Sequence, residues 1–151
     1  MIATTHPKMS VSEPRLYVAF ELGNKEWKLA MTSGFGVEPW LRTVASRDWA
    51  GVERALAQGR ARFSLSATAP VVSCYEAGRD GFWIHRALLQ RDIQNRVVDS
   101  ASIEVNRRAR RAKTDRLDAL KLVTMLVRVW CGEARVWSEV HVPTVAEEAA
   151  R

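Results

Sequence analysis

The sequence predicts an α/β domain in which a mixed sheet carries helices on both faces, in the order β-β-β-α-β-α-β-α. Two observations carry this. The chain opens with three short apolar or alternating runs separated by Gly- and Asn-containing turns, the pattern of consecutive antiparallel strands. Beyond them, segments with helical periodicity alternate with short apolar strands, the pattern of a sheet flanked by helices.

Residues 1–14, MIATTHPKMSVSEP, are small and polar with two prolines and read as a disordered lead-in. LYVAFEL (Leu16–Leu22) is the first strand. GNK makes a tight turn into EWKLAM (Glu26–Met31), which alternates polar and apolar as the second arm of a hairpin. TSGFG supplies another turn, and VEPWLRTVA reads as a third strand in which Pro39 marks an edge or bulge. SRDWAGVERALAQGRARF has helical spacing, with Trp49, Val52, Leu56 and Phe63 as its buried stripe and Ser46 as its N-cap.

APVVSCYEA (Ala69–Ala77) is a short buried strand that ends in a carboxylate. GRDGFWIHRALLQRD reads as a helix with Phe82, Leu88 and Leu89 among its apolar positions, and NRVVD as another strand. The chain returns to helix after Ser102, most strongly over Thr114–Trp130, where Leu117, Leu120, Val123 or Thr124, and Val127 repeat at helical spacing. Thr114 is the expected N-cap, with Asp115 favourable in the first turn. EARVW reads as a final strand, and VPTVAEEAAR as the start of a further helix.

Composition narrows the function. At 151 residues and 47% apolar content the chain fits one folded domain rather than a disordered one. Lys and Arg outnumber Asp and Glu by 23 to 17, for a net charge of +6, which favours a polyanionic partner such as nucleic acid. Cys74 and Cys131 have no paired spacing, so each is expected to pack as a small apolar residue in a reducing compartment. His6, His85 and His141 are scattered and form no ligand spacing. No apolar run reaches membrane-spanning length and no signal-peptide stretch opens the chain, so no membrane partner is expected. The six tryptophans read as core and anchor residues.

Four acids stand out by position. Glu21 lies near the end of the first strand and Glu76 ends the fourth. Asp115 and Asp118 lie three apart on the last strong helix and share a face. A carboxylate in an apolar strand is costly unless it is paired or meets a cation. Converging carboxylates repel unless something neutralises them. Hard divalent ions such as Mg²⁺ take oxygen ligands of this kind and act on phosphodiesters. The basic run beside the aspartates, with Asn106, Arg107, Arg108, Arg110, Arg111, Lys113 and Arg116, supplies contacts for the polyanion such an ion acts on.

The segments VAFELGNKEWKLAM, VSCYEAGRDGFWIHRAL and EVNRRARRAKTDRLDALKL resemble the N-terminal catalytic domain of the DEDD-type insertion-sequence transposases, the IS-one-ten group, also called bridge-RNA recombinases. A Lys-Thr-Asp-x-x-Asp-Ala core after a basic run is the signature of that family, and the likeness runs over residues 15–140. The resemblance implies a ribonuclease-H-like (RuvC-like) fold in which Glu21, Glu76, Asp115 and Asp118 gather around Mg²⁺, with Mn²⁺ able to substitute. It implies DNA cleavage and strand exchange in transposition, with DNA and a guide (bridge) RNA as partners. It further implies a homo-oligomer in the full-length protein and a bacterial cytoplasmic location. The family's first acid is typically Asp; this chain carries Glu21, whose longer side chain is expected still to reach a metal. The family continues into a C-terminal domain with a serine nucleophile, so residues 141–151 are expected to begin a linker toward such a domain.

Two other readings compete. A nucleic-acid-binding module without turnover would use the same arginines. Kinship with sugar-kinase and actin-like ATPases needs a Gly-rich phosphate loop on the first hairpin, where LGNKEW offers a single Gly.

Overall fold

The computed structural model describes residues 13–78, 81–103 and 118–150. Its strands are β1 (Leu16–Leu22), β2 (Glu26–Thr32), β3 (Trp40–Ala45), β4 (Val71–Glu76) and β5 (Gln94–Val98). Its helices are α1 (Trp49–Arg62), α2 (Trp83–Gln90), α3 (Ala119–Trp130) and α4 (Val145–Ala149), with a 3₁₀ turn at Ser100–Ser102. The strands form one sheet in the order β3-β2-β1-β4-β5. β1 pairs antiparallel with β2 and β2 with β3, whereas β4 runs parallel to both β1 and β5. This is the predicted mixed sheet, and its order is that of a ribonuclease-H-like fold.

Local chemistry sets each turn. The β1–β2 hairpin closes through the Gly23 N–H, which donates to the Glu26 carbonyl at 3.0 Å. A Cβ on Gly23 would lie 2.7 Å from that oxygen, so only glycine fits there. The β2–β3 turn uses Gly36 at φ +74, and the Thr32 hydroxyl donates to the Val37 carbonyl at 3.0 Å. β4 is buried along its whole length and β1 at all but one position, as expected of central strands covered on both faces. β3 is half-exposed, in keeping with an edge strand.

Strand alternation splits the core into two layers. Leu16, Val18, Phe20, Val71 and Tyr75 pack on one face against Val52, Ala55 and Leu56 of α1 and Ile84 and Leu88 of α2. Tyr17, Ala19, Val72 and Cys74 pack on the other against Leu122, Val123 and Leu126 of α3. Helices on both faces are therefore observed. Among the described residues no helix is long and apolar enough to cross a membrane.

Several expectations change in detail. The α1 cap is Asp48, whose side chain accepts from the Gly51 N–H at 3.0 Å; Ser46 lies too far upstream. Leu89 is exposed, and Ile84 takes the buried position on α2. On α3, Ala119, Leu122, Val123 and Leu126 set the phase toward the sheet. Leu120 follows Ala119 by about 100° around the helix and faces solvent. Asp118 is the N-cap of α3 rather than an interior helical residue. The expected cap Thr114, together with Asp115 and Leu117, lies outside the described residues.

EARVW forms no strand, because Arg135 sits at φ +65 and breaks the extended run. The chain meets the sheet two residues beyond Trp137 instead, where Glu139 bridges Val98 and the Val140 N–H donates to the Val97 carbonyl at 2.8 Å. Cys74 is buried as expected, whereas Cys131, at the end of α3, is exposed. α4 starts as predicted, with Thr144 and Glu147 forming a reciprocal capping box.

A buried polar chain links β4, β5 and α2. The Ser73 hydroxyl donates to Asn95 Oδ1 at 2.7 Å, and Asn95 Nδ2 lies 2.9 Å from His85 Nδ1. An amide nitrogen can only donate, so His85 Nδ1 accepts and the ring is neutral. Burial, reinforced by Arg86, holds the His85 pKa below the ordinary imidazole value. A depressed histidine contributes stability that is full above the unfolded-state value of about 6.5 and is lost as pH falls through the lower folded value. Urea melts at a series of pH values should show stability declining below about pH 6.5. His85→Gln should flatten that part of the profile; an identical slope in the variant would exclude His85 as its source.

Candidate metal centre

The parallel pairing of β1 with β4 brings the first two candidate acids together. Phe20 aligns with Tyr75, so the next residues on the two strands, Glu21 and Glu76, fall side by side at the carboxyl ends. Both continue the alternation of Ala19 and Cys74, which belong to the α3 face. Glu76 is 4% exposed and Glu21 is half-buried.

α3 begins over this edge of the sheet. Glu21 Oε1 accepts the Ala119 N–H at 3.2 Å, so a strand carboxylate satisfies one of the orphan donors in the helix's first turn. The neighbouring residue, Asp118, caps the same helix, with Oδ1 accepting the Lys121 N–H at 2.9 Å. Two carboxylates thus converge on the positive end of one helix dipole. Lys28 stands opposite Glu21 in the hairpin register, a cross-strand pair of opposite charge.

The field of the site also reaches Cys74. Burial pushes its thiol pKa well up, and the Glu76 carboxylate on the same face pushes further in that direction. A thiol so held is an inert apolar filler rather than a nucleophile.

Glu21, Glu76 and Asp118 are oxygen donors, the chemistry that Mg²⁺ or Mn²⁺ takes. A buried carboxylate beside a second one, at the end of parallel strands, suits a cation. Among the described residues no three His, Cys, Asp or Glu side chains close into a ligand set. Asp115 lies outside the described residues, as do Asn106, Arg107, Arg108, Arg110, Arg111, Lys113 and Arg116. Sequence reasoning missed the Ala119 N–H as the group that holds Glu21. Its signal was the second Asp of Asp-x-x-Asp-Ala, which is itself a strong N-cap residue directly before an apolar helix.

No family model matches the chain. Over 139 residues, 90% of its length, the chain is 39% identical to a protein of Sinorhizobium fredii (strain NBRC 101917 / NGR234) named "Putative transposase y4rJ". The chain spans 35% of that relative's length.

Proposed function

We propose that this chain is the N-terminal, divalent-metal-dependent DEDD domain of a transposase of the IS-one-ten type, contributing carboxylate and metal chemistry to DNA cleavage and strand exchange. The observation that carries the reading is the meeting of Glu21 and Glu76 at the ends of adjacent parallel strands, with Asp118 at the helix start above them. The 39% identity to a protein named as a transposase supports a role in transposition.

In this reading Glu21, Glu76, Asp118 and Asp115 hold Mg²⁺. The ion, when bound, supplies Lewis-acid stabilisation of charge on phosphodiester oxygens. The chain's own residues do the positioning. The Ala119 N–H fixes one oxygen of Glu21, and the Lys121 N–H fixes one oxygen of Asp118. Burial of Glu76 excludes water from its side of the site and strengthens its attraction to a cation. The arginine run from Arg107 to Arg116 binds the phosphates of the nucleic acid, DNA or a guide RNA.

Titration calorimetry with Mn²⁺ tests this directly. The chain should bind Mn²⁺ with stoichiometric heat, and Glu76→Gln should weaken the affinity by about tenfold or more, a loss of at least about 1.4 kcal/mol. Absence of any Mn²⁺ binding to the wild-type chain at millimolar concentration would remove the metal from the reading. It would leave the alternative of a nucleic-acid-binding module without turnover.

A further inference from the structure

On the sheet face opposite the acids, an open groove runs between the edge strand β3 and α1. It has a volume of about 250 Å³, and its charged lining residues are Arg42, Arg54 and Asp48. Arg42 belongs to the α1 face because its register partner, Leu29, lies in the core layer under α1 and α2. At the strand's start, Trp40 carries two guanidiniums: Arg42 lies 5.0 Å from its ring centroid and Arg62, from the last turn of α1, 4.9 Å.

These arginines are poorly neutralised. Asp48 spends one oxygen on the Gly51 N–H, and the other lies 3.9 Å from Arg54, whose side chain is 70% exposed. Among the described residues neither Arg42 nor Arg62 forms an ion pair with a carboxylate. Both residues are exposed, so two guanidiniums held at one indole have donors to offer an anion. A groove lined by two arginines against one carboxylate, with the Arg62 guanidinium beside it on Trp40, is complementary to a row of phosphates.

We propose that the β3–α1 groove binds the sugar–phosphate backbone of a nucleic acid strand through Arg42 and Arg54, with Arg62 on Trp40 extending the contact beside it, as a second contact in addition to the Arg107–Arg116 run. The inference rests on the reading that the chain works on nucleic acid. Contacts of this kind are made to phosphates and carry no base sequence information, so the groove positions a strand rather than selecting it.

The test is fluorescence anisotropy with a labelled mixed-sequence DNA duplex over a range of salt. Each phosphate contact contributes about 0.9 to the slope of log affinity against log salt, so the triple variant Arg42→Gln, Arg54→Gln, Arg62→Gln should lower that slope by about 2–3. The loss should add to that of a variant with Arg107, Arg108, Arg110 and Arg111 changed to Ala. Circular dichroism melts check that the triple variant is folded. If it is not, the single charge reversal Arg54→Glu, at a 70% exposed side chain, should still lower the slope by about 1–2. An unchanged slope in a folded groove variant overturns the inference while leaving the proposed function standing. Failure of the wild-type chain to bind the duplex at low salt overturns both. A phosphate-free poly-glutamate peptide that competes as well as unlabelled duplex would also overturn it, in favour of an acidic protein partner.

Discussion

Replacing Trp27 by alanine should destabilise the domain by about 3–5 kcal/mol, a large part of the 5–15 kcal/mol typical of a whole domain. Trp27 is 2% exposed and lies at the centre of an aromatic cluster. Its ring meets Phe20 at 6.2 Å and Trp49 at 5.4 Å, both edge to face, and Trp83 at 6.3 Å. Each edge-to-face pair adds about 0.5–1.5 kcal/mol beyond area burial, and both are lost together. The rings come from β1, β2, α1 and α2, so a cavity there weakens the packing of both helices on the sheet. Trp27 also pairs with Leu22, and the next cross-strand pair is Lys28 with Glu21. Loss of the indole should therefore loosen the hairpin that carries the first acid. Urea melts measure the effect; Trp27→Phe should recover part of the loss, and a Trp27→Ala midpoint close to wild type would contradict this account of the core.

The aromatic cluster illustrates what was legible in the sequence. That the tryptophans would be core and anchor residues followed from composition, but their meeting did not. Trp27, Trp49 and Trp83 lie on three different elements, and the sheet order decides which of these become neighbours. Strands β1, β2, β4 and β5 were readable because their apolar runs are bounded by Gly, Asn, Pro and Asp. α1 and α2 were readable from periodicity. EARVW misled because its composition suits a strand, while the left-handed backbone at Arg135 is a tertiary outcome with no local signal.

The acids divide in the same way. Glu21 and Glu76 were visible as carboxylates at strand ends, and the parallel register then brought them together on one face. Asp118 was misread as a helix-interior residue because the helical pattern runs smoothly through Leu117 and Leu120. Its short side chain competes for backbone N–H groups, which is why such residues start helices more readily than they continue them.

Neutralising the acids one at a time should separate the metal reading from simple capping. Asp118→Asn keeps an acceptor for the Lys121 N–H, and Asn caps about as well as Asp. Only the interaction of its charge with the helix dipole is lost, about 0.3–1 kcal/mol. Relief of repulsion from Glu21 at the same helix end acts in the opposite direction. Metal-free melts of Asp118→Asn and Glu21→Gln should therefore lie within about 1 kcal/mol of wild type. Asp118→Ala, which removes the acceptor itself, should cost about 1 kcal/mol without metal and serves there as the reference for capping alone. Mn²⁺ should then divide the set. A ligand that binds only the folded state stabilises it by about 2.7 kcal/mol at a hundred times its dissociation constant, so the wild-type curve should move up by that order. Asp118→Asn, Glu21→Gln and Glu76→Gln should forfeit most of the gain, because each removes one negative oxygen donor while leaving the fold in place. If Asp118 and Glu21 serve only to cap α3, wild type and amide variants will melt at the same temperatures with and without Mn²⁺, and the carboxylates are then the helix's partners rather than a metal's.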